Sequence, residues 1–234
     1  MSTNTAYLAL MLDAPMQSWG FSSRFERRTT GLHPTKSGVV GMICAALGLA
    51  KGSDDEKALL PQLAGLKMTS VCIPRQQQGQ GQDTVTHMRR LEDFHTVLGT
   101  RRAGGGFNPN PVVSRREYLT DARFGVILRG DGALLRKVSA AVEDPRWGLW
   151  FGRKNCIPAE PISRGVHAEE GGAWKALVGD VSPEEFSNVA ETDGFGAGTD
   201  SIPDQPISFG DQSSSGSEKR KFGVRRIRWR AGGG

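Results

Sequence analysis

The stretch His33–Leu49, HPTKSGVVGMICAALGL, sets a lysine–serine pair among glycines at the head of an apolar run. It has the look of a nucleotide-binding phosphate loop, and whether it is one decides the fold class. The phosphate-loop signature needs a glycine, four residues, then Gly-Lys-Ser/Thr, all after a buried strand. Four residues on from Gly31 is Thr35, so Lys36 stands where the second glycine belongs. That glycine supplies the turn that lets successive N–H groups wrap a phosphate. The preceding FSSRFERRTT is polar and basic, so no buried strand feeds the loop. The pattern argues against an NTPase and leaves a helix start. Pro34 is tolerated before or in a first turn, and Thr35 or Ser37 can cap the free N–H groups. Val39, Val40, Ile43, Ala46, Leu47 and Ala50 then recur at helical spacing. A helix N-terminus favours an anion, and Lys36 adds a full charge there, so a phosphate contact at Thr35–Ser37 is expected. The plainer alternative is a capped core helix with one solvated lysine.

Outward from this helix the chain alternates strands and helices. AYLALMLDA, ending at Asp13-Ala14-Pro15, reads as a buried strand, and a polar loop from Met16 to Pro34 follows it. DDEKALLPQLAGL gives a second helical turn or two, interrupted at Pro61. KMTSVCIPR and DARFGVILRG read as strands, the second with Phe124, Val126 and Leu128 on one face. GALLRKVSAAVEDP spaces Leu134, Leu135, Val138, Ala141 and Val142 as a helix that Pro145 stops. A last strand is expected near CIPAEPISRGV. This order predicts an α+β, ferredoxin-like antiparallel sheet with two helices, the topology shared by RNA recognition motifs. The aromatic signatures by which such a sheet stacks bases are not evident.

Between the second and third strands lies a long insertion, about 76–121, rich in glycine, glutamine and arginine. Loops of that length are functional or disordered. A long hairpin or arm with a flexible tip is expected, and paired arginines on both limbs suit a nucleic-acid backbone. The alternative is a solvated loop that its arginines keep soluble. Residues 1–170 are thus read as one domain and 171–234 as a small C-terminal β or irregular extension. In that extension 193–217 is a mobile connection, and KFGVRRIRWR an edge strand or a disordered basic tail.

The chain has 234 residues and a net charge of +5 from 30 Lys+Arg against 25 Asp+Glu. Its basicity is moderate overall but clustered. Arg24, Arg27, Arg28 and Lys36 form one group. Arg89, Arg90, Arg101, Arg102, Arg115 and Arg116 form a second, Arg153 and Lys154 a third. KRKFGVRRIRWR carries seven basic residues in twelve. This permits a polyanionic partner. Three scattered cysteines make neither a disulfide framework nor a zinc pattern, and no cofactor or metal is expected. With no signal-peptide pattern and no run of membrane-spanning length, a cytoplasmic protein without a membrane partner is expected.

Several landmarks in order, LDAPMQSWG, HPTKSGVVGMICAALGL, DFHTVLG, REYLTDARFGVIL and FGRKNCIPAEPI, resemble the CasD family, from about Tyr7 to about Pro161. These are the handle-binding subunits of the type I-E CRISPR surveillance complex, Cascade. The resemblance implies a ferredoxin-like fold of the repeat-associated RNA-binding (RAMP) superfamily, with a hairpin thumb between strands two and three. It implies a subunit that grips the 5′ handle of crRNA and caps the backbone filament. Such a subunit contacts a CasC-type backbone subunit and a CasA-type large subunit, and meets target DNA only indirectly through the complex. In type I-E systems a different subunit, CasE, cuts the precursor.

On this reading the candidate RNA contacts are the basic loop, Arg24, Arg27 and Arg28, and the helix start, His33, Thr35, Lys36 and Ser37. Gln17, Ser18 and Trp19 lie where the first strand ends, with Trp19 either stacking on a base or packed in the core. Arg89, His95, Arg101, Arg102 and Arg115 lie on the thumb, and Arg153, Lys154 and Asn155 in a polar turn. Two other readings stand beside it. One is a metal-independent endoribonuclease, as the equivalent subunit is in type I-C systems, drawing on His33, His87, His95 or Tyr118 with Lys36 or Lys154 as the cation. The other is a general basic RNA-binding module. No tight catalytic constellation is visible, so no catalytic residue is assigned.

Overall fold

The structure is a computed structural model that describes residues 4–20, 27–77, 84–102, 104–196, 198–210 and 219–233. In chain order it forms β1 (Thr5–Asp13), β2 (Met16–Gln17), β3 (Arg27–Arg28), α1 (Lys36–Ala46) and α2 (Asp54–Gly65). Then come β4 (Lys67–Cys72), β5 (Arg75–Gln77), β6 (Thr84–Thr86), β7 (Arg89–Val97), β8 (Val112–Thr120) and β9 (Arg123–Asp131). α3 (Gly132–Glu143), β10 (Ser163–His167), α4 (Glu170–Val178), β11 (Asn188–Glu191), β12 (Thr199–Ser208) and β13 (Lys221–Arg230) complete it.

The main sheet has seven strands in the order β10-β1-β9-β4-β11-β13-β12, every neighbour antiparallel. Alternation builds its two faces. Leu8, Leu10 and Leu12 of β1 and Phe124, Val126 and Leu128 of β9 turn to one core with residues of α1, α2 and α3. Ala9, Met11, Val71 and Ile127 turn to a smaller core under Ala173 and Leu177 of α4. The uneven alternation of KMTSVCIPR follows: Met68 serves the first core, and Val71 and Ile73 the second.

α1 is capped by Thr35, whose Oγ1 accepts from the Gly38 N–H at 3.3 Å. It stops at Ala46, short of the expected Ala50, and Gly48 takes φ +71° just beyond it. α2 runs straight through Pro61 instead of breaking there. Pro61 is on the exposed side, while Leu60 and Leu63 hold the other side in the core. Glu56 and Ser53 cap the helix start: Gly52 N–H donates to the Glu56 carboxylate at 2.7 Å and Glu56 N–H to Ser53 Oγ at 3.2 Å.

The insertion is a hairpin in which β7 and β8 pair from Arg89↔Thr120 to Val97↔Val112. Its base is tied down on the far side of β8, where β2 pairs antiparallel and β3 parallel.

The C-terminal third corrects two expectations. Residues 171–234 add three strands to the main sheet instead of forming a separate extension, and β11 joins them directly to β4. KFGVRRIRWR is β13, an inner strand between β11 and β12. β12 occupies part of the stretch expected to be a mobile connection; residues 211–218 lie outside the described residues. Pro203 and Pro206 hid this strand. A proline cannot donate to a ladder but is accommodated on an edge with bulges, and β12 is an edge strand whose register shifts twice. Among the described residues no helix is long and apolar enough to cross a membrane.

Candidate nucleic-acid interface

β3 lies parallel to β8 with Arg27 opposite Arg115 and Arg28 opposite Arg116. Two basic clusters nearly ninety positions apart in sequence thus meet at the thumb base, Arg27 with Arg115 on one face of the strand pair and Arg28 with Arg116 on the other. Buried Glu117 partly offsets the first pair: its carboxylate lies 3.6 Å from Arg27 Nη2 and accepts from the Thr30 N–H at 3.3 Å.

Beside these arginines is a groove of about 550 Å³ whose lining includes Ser18, Trp19, Arg28, Thr35, Ser37, Gly38, Arg153, Phe209, Arg220 and Phe222. Arg153 is fixed in place: it donates to the Glu117 and Arg28 carbonyls at 3.1 and 3.0 Å, and its guanidinium lies 4.5 Å from the Tyr118 ring centroid. Gly152 before it has φ +93°, and a Cβ there would lie 1.7 Å from the Ser18 carbonyl oxygen, so only glycine fits. A second hollow of about 370 Å³ shares Thr35 and Pro203 with the first and adds Leu32, His33, Arg90 and Trp229.

Several expected contacts turn out to be framework. Lys36 is 1% exposed, and its Nζ donates to both Glu191 oxygens at 2.9 and 3.1 Å. The anion at the start of α1 is internal: Lys36 N–H donates to Asp204 Oδ2 at 2.8 Å, and Arg225 grips the same carboxylate at 2.6 and 3.0 Å. Burial pulls the Lys36 pKa below its usual value, against the opposing pull of Glu191. The expected Lys36 phosphate contact is therefore corrected to a buried link between α1 and β11–β13.

Gln17 is fully buried, donating to the Leu12 and Ala122 carbonyls, both at 2.8 Å, and accepting from Trp19 Nε1 at 3.0 Å. Trp19 is a core residue, 1% exposed, with its ring stacked on Phe151 at a centroid distance of 6.0 Å. Ser18 is buried too, its Oγ bonded to the Glu117 carbonyl at 3.2 Å. His33 packs between Phe124 and Trp229 with Nδ1 3.3 Å from Ser70 Oγ, and burial pulls its pKa down to about 4. Asn155 donates to the Tyr118 hydroxyl at 3.2 Å.

Arg27, Arg28, Arg89, His95, Arg101, Arg102, Arg115, Lys154 and, despite its bond to Tyr118, Asn155 are exposed; Arg24 lies outside the described residues. Arg101 and Arg102 belong to the hairpin tip, where Arg101 lies over Phe107 and Arg102 donates to Asn108 Oδ1 at 3.0 Å. The sequence reading missed Phe209, Arg220 and Phe222. The β-forming alternation in KFGVRRIRWR was the available signal, but the link from β13 to the start of α1 runs through Asp204 of β12, which bonds both Arg225 and the Lys36 N–H. Among the described residues no group of His, Cys, Asp or Glu is arranged to hold a metal ion.

A sheet flanked by a basic hairpin and an arginine-lined groove has the form of a nucleic-acid-binding module, and sequence comparison gives its family. Residues 7–228 match the model of the family described as "CRISPR-associated protein (Cas_Cas5)". The CRISPR system Cascade subunit CasD of Escherichia coli (strain K12) is 32% identical over 190 residues, covering 77% of this chain and 82% of that one. Among solved structures, a chain of a CRISPR RNA-guided surveillance complex superposes with a TM-score of 0.68 at 26% identity, covering 95% of this chain and 88% of that one. A crystal structure of a Cas protein gives a TM-score of 0.62 at 27% identity over 97% of this chain and 98% of that one. The chain belongs to the Cas5 family of CRISPR-associated proteins, in its CasD branch.

Proposed function

We propose that this chain is the non-catalytic subunit of a type I-E Cascade surveillance complex that holds the 5′ handle of crRNA and caps the backbone filament. The thumb and the adjoining body face a CasC-type backbone subunit and a CasA-type large subunit, and target DNA is met only through the assembled complex, in the cytoplasm. The observation that carries this reading is the groove in which Arg28, Arg153 and Arg220 converge from three distant parts of the chain. A single-stranded RNA is held at phosphates by such a groove, and exposed Phe222 offers a ring to a base. The fold supports it as well. β1-α1-α2-β4-β9-α3-β10, with spatial order β10-β1-β9-β4, is a ferredoxin-like βαββαβ arrangement carrying one additional helix, and the thumb joins β4 to β9.

The groups that an endoribonuclease would use are dispersed. His33 is half-buried with its pKa pulled down to about 4, His95 is on the exposed thumb, and Tyr118 is buried with its hydroxyl bonded to Asn155. In the proposed role labelled repeat RNA stays intact with or without Mg²⁺, and site-specific scission abolished by His95→Ala would overturn it.

Binding is tested with a fluorescent oligonucleotide carrying the 5′ repeat segment, titrated at several salt concentrations. Arg28→Ala with Arg220→Ala should lower affinity and flatten the salt dependence by about 1.4 in log–log slope, about 0.7 for each single-strand phosphate that an arginine no longer neutralises. An unchanged slope and affinity would place the RNA elsewhere.

A further inference from the structure

β13 turns Arg225, Ile227 and Trp229 to one side of the main sheet, one at every second position. Arg225 and Ile227 are buried there, whereas Trp229 is 45% exposed. It lines the hollow of about 370 Å³ together with Leu32, Val189, Ile202, Asp200 and Arg90. Val189 is directly opposite Trp229 across the β11–β13 pair, His33 buttresses the indole at 5.2 Å between ring centroids, and Leu32, 48% exposed, adds a second open apolar side chain. Asp200 pairs with Ile227 across β12–β13, so it shares the face of Trp229 and is its diagonal neighbour, about 7–8 Å away. A planar ring lying on Trp229 can therefore reach the Asp200 carboxylate with its edge. That carboxylate has capacity to spare. Its Oδ1 accepts from the Ser201 N–H at 2.7 Å, and no cation pairs with it among the described residues. The other carboxylate of the hollow, Asp204, is already taken by Arg225 and the Lys36 N–H.

We propose that this hollow is a base-specific pocket that takes one guanine of the RNA held in the adjoining groove. The inference rests on the reading of that groove as an RNA site. The hollow meets the groove at Thr35 and Pro203, which line both, so a nucleotide turned out of the strand enters it directly. Single-stranded RNA is read in this way, by bases splayed onto aromatic side chains and hydrogen-bonded along their edges. Arg90, at the root of the thumb, supplies a cation for the phosphate of the same nucleotide. The volume lies at the small end of the range of about 300–1,000 Å³ that encloses a small ligand, which suits one nucleotide. The carboxylate then selects the base, because an ionised carboxylate only accepts hydrogen bonds. Guanine alone carries two adjacent donors on its Watson–Crick edge, N1–H and the N2 amine. Adenine and cytosine set a ring-nitrogen acceptor beside their amine, and uracil sets a carbonyl on each side of its one N–H, so each turns a lone pair toward Asp200.

The test uses the fluorescent 5′ repeat oligonucleotide with each guanosine replaced in turn by inosine, which lacks only the N2 amine. One position should lose at least about tenfold in affinity, the worth of a hydrogen bond to a charged acceptor. In Asp200→Ala that position should bind guanosine and inosine equally. Trp229→Ala should weaken binding of the unmodified oligonucleotide at least about fivefold through lost stacking. A scan with no inosine-sensitive position overturns the proposal, and so does a sensitivity that Asp200→Ala leaves in place. Unchanged RNA affinity in Asp200→Ala with loss of a protein subunit from the co-expressed complex would give the hollow to a protein and overturn it too. Should Trp229→Ala unfold, Asp200→Ala decides alone, since its side chain is exposed on an edge strand. The groove is scored separately. If Arg28→Ala with Arg220→Ala leaves affinity unchanged, the groove reading fails and the pocket falls with it; a weakened double variant with a flat inosine scan removes the pocket and keeps the groove.

Discussion

Lys36→Met separates the two roles that the start of α1 offers. In the structure Lys36 is 1% exposed and its ammonium neutralises Glu191, whose side chain is 8% exposed. Removing one partner of a buried ion pair costs about 3–5 kcal/mol, because the other charge is left without its compensation. Glu191 keeps weaker support from Lys67 at 3.6 Å and Arg225 at 3.9 Å, so the low end, about 3 kcal/mol, is expected. For a chain of this size that is a fall of about 6–12 °C in melting temperature. Lys36→Met with Glu191→Gln should recover most of the loss. It removes the uncompensated charge while retaining an acceptor for the Met68 N–H, which now donates to Glu191 at 3.3 Å. The assay is thermal and urea unfolding in parallel with RNA titration at three salt concentrations. A melting temperature within about 2 °C of the unaltered chain, with a salt slope flattened by about 0.7, would refute the buried-link argument and restore Lys36 as a phosphate contact.

Gly152→Ala should destabilise by at least about 3 kcal/mol in urea unfolding and weaken RNA binding, since φ +93° and the Ser18 carbonyl leave no room for a methyl and Arg153 is the next residue. His33 has a folded pKa of about 4 against an ordinary 6.5, so the unfolded chain binds the extra proton first. Stability should therefore fall as pH drops from about 6.5 toward 4, by up to about 3 kcal/mol, and His33→Gln should flatten that window. Deleting Thr100 to Pro111 and closing the thumb with a short turn should leave the melting transition intact, because none of the tip's described residues belongs to either core. The same deletion should impair assembly of crRNA with the backbone subunits; normal assembly would make the tip dispensable, and loss of folding would show that it supports the core.

The sequence by itself determined the elements whose apolar spacing is local. β1, α1, β9 and α3 were legible because one row of side chains in each enters the same core, and the failed phosphate-loop spacing at Gly31–Lys36 excluded an NTPase. The hairpin was legible as a long basic insertion between two strands. Only the tertiary structure decided which cations face solvent. Lys36 and Arg225 look like surface charges in sequence, yet both are buried against Glu191 and Asp204, and Asp204 comes from a stretch that composition marked as a loose connection. Arg27 met Arg115, and Arg28 met Arg116, only through a parallel pairing that no local pattern encodes. The physical reason is common to both cases. Hydrophobic periodicity reports which side of an element is dry, whereas the fate of a charge depends on the partner that folding brings within a few ångströms, and for Lys36 that partner, Glu191, lies 155 positions away in the chain.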